Sequence, residues 1–123
     1  MKIFVSGGVG SPADPIHFLQ YSRDELRAAV EEAAHAGTYV MAHAYTAAVI
    51  YRAVEAGIRT IEHGNFLDRR AADLMAENAH TYVLAHAYTA EAVYRAVDAG
   101  IRSIEHGNFL DRRAADLMAK RGA

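Results

Sequence analysis

Four histidines carry the chemistry that this sequence offers. His43 and His86 stand in two copies of one phrase, TYVMAHAYTA from Thr38 and TYVLAHAYTA from Thr81, and His63 and His106 stand in IRTIEHG and IRSIEHG. Each follows a short apolar run and falls at the predicted carboxyl end of a strand, where α/β folds collect their ligands. Imidazole is a common zinc ligand, and one or two histidines with an oxygen donor can hold a weak site. The competing reading is that each ring hydrogen-bonds a loop carbonyl or faces water, since catalysis at an open metal site usually needs three fixed protein ligands.

Other residues with chemical potential carry plainer alternatives. Glu62 and Glu105 each precede a histidine and could act as a base or as an acceptor behind a metal ligand. Arg59 and Arg102 are close in sequence, so the structural expectation is an ion pair to them. SGGVGS at residues 6–11 lacks the Lys-Ser/Thr of a phosphate loop and reads as a tight strand exit. Tyr39, Tyr45 and Tyr51 recur as Tyr82, Tyr88 and Tyr94, expected as amphipathic packing residues with their hydroxyls reaching solvent. Arg69–Arg70 and Arg112–Arg113 open helices, where the macrodipole disfavours cations, and read as solvated faces.

The elements that position these residues follow from pattern. Residues 38–80 align without a gap on 81–123, differing at ten of 43 positions. Solenoids need at least three stacked copies, so two copies read as a duplicated block. Within each block an apolar run, a turn residue and a helical stripe occur twice. Thr46 is the predicted N-cap of a helix whose Val49, Ile50, Ala53 and Val54 share a face up to Gly57, and Asp68 caps a second carrying Ala71, Leu74 and Met75. Thr89, Gly100 and Asp111 repeat those signals. Upstream, KIFVSGG reads as a strand, not a signal peptide, and SPADPIHFLQY as a loop. Ser22 and Glu25 form a capping box for a helix that buries Leu26, Val30 and Ala33 and ends at Gly37.

The chain therefore reads as one (βα)5 domain over 1–123, with short connections that imply parallel pairing and right-handed crossovers. Composition agrees: 123 residues, 52% hydrophobic, with two prolines, suit one globular core. A net charge of −2 gives no footprint for nucleic acid or an anionic membrane. The apolar runs are too short to span a bilayer. With no cysteine, thiolate metal sites and disulfides are excluded, and a cytoplasmic location is expected.

The stretch from KIFVSGG through IEHGNFLDRRAADLMAE, roughly the first two thirds of the chain, resembles the fourth to sixth βα units of the metal-dependent amidohydrolases, specifically the prolidase-like and imidazolonepropionase-like carboxypeptidases and dipeptidases. In that family the lysine of the KI…GG strand is carboxylated and bridges two metal ions, and the histidines of AHA and IEHG bind one of them. The resemblance thus implies Lys2, His43 and His63 as metal ligands. The family continues with two different strands, the last ending in a metal-binding aspartate; this chain instead repeats the fifth and sixth units, presenting His86 and His106 as further candidates. The first-strand HxH pair and the terminal aspartate have no counterpart, which implies that one chain does not complete a two-metal hydrolytic site.

Five strands cannot close an eight-stranded barrel. The expected architecture is an open parallel sheet with helices on both faces, flavodoxin-like, and the alternative is a partial TIM barrel completed by oligomerisation. Two near-identical blocks invite domain swapping, so the expected partner is a second copy of the chain. The truncated match followed by a high-identity repeat looks engineered or recombined. Two functions compete: a structural scaffold rebuilt from an amidohydrolase fragment, without efficient catalysis and with at most a weak or vestigial zinc site, and a metal-dependent hydrolase of amide or peptide bonds.

Overall fold

The computed structural model describes residues 1–78 and 81–123; the last two positions of the first repeat, Ala79 and His80, lie outside them. Among the described residues, five strands alternate with five helices. They are β1 (Lys2–Phe4), α1 (Arg23–His35), β2 (Met41–Thr46), α2 (Ala47–Glu55), β3 (Thr60–Phe66), α3 (Arg69–Glu77), β4 (Tyr82–Thr89), α4 (Ala90–Asp98), β5 (Ser103–Phe109) and α5 (Arg112–Arg121). The chain divides into two compact units, Met1–Tyr82 and Val83–Ala123. The division falls just inside the start of the second repeat.

In the first unit β1, β2 and β3 form a parallel ladder in sequence order, with Ile3, Ala42 and Ile61 in one row and Phe4, His43 and Glu62 in the next. The parallel α/β class expected from the alternating pattern is therefore present. Consecutive order has a further consequence. Without the reversal of a doubly wound sheet, right-handed crossovers put α1 and α2 on the same face of these three strands, as in a segment of a barrel. Ala42, Ala44 and Ile61 point to that face and are fully buried with Ile50, Ala53 and Ile58. The opposite face carries Lys2, Phe4, His43, Tyr45 and Glu62, the alternate residues of the same strands.

Helix boundaries follow the local signals. Ser22 accepts from the Glu25 amide and Glu25 from the Ser22 amide, closing the capping box. Asp68 accepts from the Ala71 amide at 2.8 Å, satisfying one of the orphan N–H groups that open α3. Gly37 and Gly57 follow the C-termini of α1 and α2 with φ of 67° and 93°, the left-handed conformation in which glycine meets no Cβ penalty.

The second unit is smaller. β4 and β5 pair in parallel, with His86 opposite Glu105. Ala87, Val93, Val97 and Ala114 form its core, supported by Tyr94, Ile104, Leu117 and Met118. Asp111 caps α5 through the Ala114 amide at 2.8 Å. The two threonine caps differ: Thr89 accepts from the Ala92 amide at 3.3 Å, whereas Thr46 has the same extended backbone and makes no side-chain cap bond. Thr89→Ala is accordingly expected to cost about 0.5–1 kcal/mol, and Thr46→Ala less, in paired thermal unfolding measurements. No helix among the described residues is long and apolar enough to cross a membrane.

Candidate metal-binding site

On the open face of the first unit the sequence places His43 in the middle of β2, where its ring is nearly buried. His63 lies one residue after Glu62, so a regular strand would send its side chain to the helix-covered face with its register partner Ala44. The backbone prevents this. His63 has φ of 80° and Gly64 of 63°, and the ladder shifts register after Ala44. Left-handed φ is uncommon for a residue with a Cβ, though histidine adopts it more readily than most. The kink returns the imidazole to the same side as the preceding residues. His63 Nε2 stands 2.8 Å from His43 Nδ1, with the rings nearly perpendicular.

Tyr45 fixes the second ring. Two residues beyond His43 and on the same face, it stacks on His63 at 4.6 Å between centroids and 13° between planes, and it meets His43 edge-on. Phe4 covers His43 from β1 at 4.5 Å. Gly8, in the loop after β1, comes close enough that a Cβ there would lie 3.7 Å from His43 Nε2. Tyr45 was not singled out as a site residue by the sequence; the signal that marks it is the HAY spacing, which on a strand puts histidine and tyrosine side by side on one face.

Lys2 reaches the same face, and its Nζ pairs with the Glu62 carboxylate at 2.5 Å. This corrects the expectation that Glu62 pairs with Arg59. Three positions apart on a strand are opposite faces, and the Arg59 guanidinium lies over the Tyr39 ring instead, 5.0 Å from its centroid. A Glu62 oxygen and a His63 nitrogen lie within 4.8 Å of each other. Of the three ligands implied by resemblance, His43 and His63 meet directly, while the Lys2 ammonium is engaged one strand away.

The second unit repeats the histidine pair. His106 has φ of 76°, its Nε2 lies 3.2 Å from His86 Nδ1, and Tyr88 stacks on it at 4.4 Å and 11°. The doubled arginines behave as solvated side chains anchored by their neighbours: Arg69 bonds Asp73 one turn on, and Arg70 and Arg113 lie over Tyr51 and Tyr94 at 4.0 and 3.9 Å.

The donor chemistry fits a divalent transition metal. Neutral imidazole offers one lone pair, and here Nδ1 of one ring and Nε2 of its neighbour face each other at 2.8 Å, so ligation of both requires the proton between them to move to the far nitrogen of its ring and the rings to part enough to admit the ion. An ammonium in an ion pair has no lone pair to give. Of the three ligands implied by the resemblance, the first unit as placed therefore presents two, His43 and His63, while the Glu62 carboxylate near His63 is ion-paired with Lys2.

Residues 1–78 match the sequence profile of the Amidohydrolase family. Ochratoxinase of Aspergillus niger is 40% identical over 75 residues, which are 61% of this chain and 16% of that protein. A crystal structure of a prolidase complexed with N-methylphosphonate-L-proline superposes with a TM-score of 0.67 at 44% identity, covering 98% of this chain and 28% of that one. A Xaa-Pro dipeptidase with methionine in its active site gives a TM-score of 0.66 at 26% identity, covering 99% and 38% respectively. The chain thus spans well under half the length of each of these proteins.

Proposed function

The chain belongs to the amidohydrolase family, and from that premise we propose that it is a structural segment of an amidohydrolase barrel that binds one divalent metal ion weakly through His43 and His63 and does not hydrolyse amides efficiently by itself. Zinc is the metal that the imidazole pair favours. The observation that carries this reading is the contrast on one sheet face: the two imidazoles converge at 2.8 Å while Lys2 is held by Glu62. Catalytic zinc sites ordinarily fix the ion with three protein ligands, and two hold it loosely. Bound there, a divalent ion supplies Lewis-acid polarisation of a carbonyl. What the chain's own residues contribute is positioning, with Tyr45 stacked on His63 and Phe4 against His43.

If further strands complete the centre, the reaction class is hydrolysis of an amide or peptide bond. The prolidase and dipeptidase among the similar structures support that class. The test is zinc titration by calorimetry beside a dipeptide hydrolysis assay. His43→Ala is expected to weaken zinc at the first unit by more than the ~10–100-fold typical of losing a partner behind a metal ligand, with turnover near background in both proteins. Turnover that requires stoichiometric zinc and vanishes with His43→Ala would overturn the scaffold reading in favour of the hydrolase.

A further inference from the structure

The two repeats differ at the base of their last strand. In the first, the residues that open the second repeat dock beside β3: the Thr81 amide donates to the Asn78 carbonyl at 2.8 Å, the Thr81 hydroxyl to Ile58 at 3.4 Å and the Tyr82 amide to Arg59 at 3.2 Å. Ile58, Thr60 and Ile61 are fully buried there. Their counterparts in the second unit, Ile101, Ser103 and Ile104, are only half-buried. Among the described residues β5 has one strand neighbour, β4. At its base lies an open cleft of about 150 Å³ lined by Val97, Gly100, Ile101, Arg102 and Arg121. The first four of these match Val54, Gly57, Ile58 and Arg59 of the first repeat without a change of residue type.

We propose that this cleft and the outer edge of β5 bind an extended polypeptide segment that opens on threonine, adding it as a further parallel strand. An edge strand presents a row of unpaired N–H and C=O groups, and extended peptides add to such edges through main-chain bonds, with neighbouring pockets setting selectivity. The recognition chemistry is the one the chain uses on itself at β3. A threonine hydroxyl meets the Ile101 carbonyl as Thr81 meets Ile58, and the next amide meets the Arg102 carbonyl as Tyr82 meets Arg59. Position 78 is the exception, because Arg121 replaces Asn78 and its guanidinium, 3.3 Å from Asp98, borders the cleft. The chain's own segments of this kind are engaged: the Thr38 amide donates to Ala33, the Val40 carbonyl accepts from Arg59, and Thr81 and Tyr82 hold the base of β3. A second copy fills the cleft only by giving up the same contacts elsewhere, so the occupant is a segment not already held in a fold.

The test titrates the full chain with a synthetic peptide of residues 81–89, TYVLAHAYT, followed by amide NMR shifts with a chelator present so that no metal bridges the histidines. The peptide is expected to move the signals of Gly100 through Ile104 and of Arg121, and to leave those of Ile58 through Ile61 in place. A peptide N-methylated at the tyrosine lacks the amide that meets Arg102 and is expected to bind about tenfold more weakly. The peptide carrying Thr81→Val, which lacks the hydroxyl, is expected to lose about threefold. Both changes lie in the peptide, so the fold of the chain is the same in every arm. No shifts at millimolar peptide, shifts centred on Ile58 through Ile61, or equal affinity for the N-methylated peptide would overturn the proposal. Sedimentation of the chain alone tests the other occupant: a dimer that the peptide dissociates would assign the edge to a second copy and overturn it too.

Discussion

Ile61→Ala should destabilise the first unit by about 2–5 kcal/mol, whereas the same change at the matching position of the second unit, Ile104→Ala, should cost about half as much. The flanking sequences are nearly the same, TIEHGNF and SIEHGNF, so strand propensity and turn chemistry cancel in the comparison. What differs is burial. Ile61 is fully enclosed between the sheet and its helices, while Ile104 is only partly buried against the core of the second unit. Truncating an enclosed isoleucine loses its transfer free energy and leaves a cavity; truncating a half-covered one loses part of the first and little of the second. Urea unfolding, with hydrogen exchange to assign the loss to each unit, reads both effects. Equal losses would show that enclosure does not distinguish the two positions.

Gly7→Ala is expected to cost about 3 kcal/mol or more, at the upper end of what overpacking does. A Cβ at Gly7 would stand 1.9 Å from the Asp14 carbonyl oxygen and 2.5 Å from that of Pro15. These are backbone atoms, so no rotamer change relieves the clash and the loop must move. The loop is tied down on both sides: Ser6 bridges Leu19, the Gln20 amide donates to the Val5 carbonyl, and the Gln20 side chain donates to Asp14. Because Gly8 lies against His43, the displacement should reach the imidazole pair and change the His43 ring signals in NMR spectra. Gly10→Ala is the control. A Cβ there meets nothing within 4 Å, and the change should be neutral or stabilise by a few tenths of a kcal/mol through the unfolded chain. Similar melting temperatures for the two variants would refute the close approach.

Much of the local structure was legible in the residues. Ser22 with Glu25, Asp68 and Asp111 marked helix starts because a side-chain oxygen three residues before an orphan amide can reach it whatever the rest of the chain does. Gly37, Gly57 and Gly100 marked helix ends for a similarly local reason, and all three have positive φ. The partner of Glu62 was not legible. Arg59 is its neighbour along the chain, but the pairing is decided by strand face and by the lateral order that sets β1 across β2 from β3, within reach of a lysine side chain, and a list of apolar runs contains neither. The strand order itself was also hidden: βα alternation implies parallel strands, yet only the packing shows that the first three follow one another without reversal.

The repeat separates the two kinds of information, because it places almost the same 43 residues in two surroundings. The kinked histidines have φ of 80° and 76°, the tyrosine stacks close at 13° and 11°, and both ladders shift register at the same alanine–threonine step. Those features depend on dihedral preferences and on contacts within one βαβ unit, so the sequence determined them twice over. Burial of the glutamate and its charge partner are not reproduced: Glu62 is enclosed and paired with Lys2, and Glu105 is exposed. Tertiary structure alone decided that, because the ammonium comes from a strand outside the repeat, and whether a carboxylate is buried and neutralised or left in solvent depends on what packs beside it.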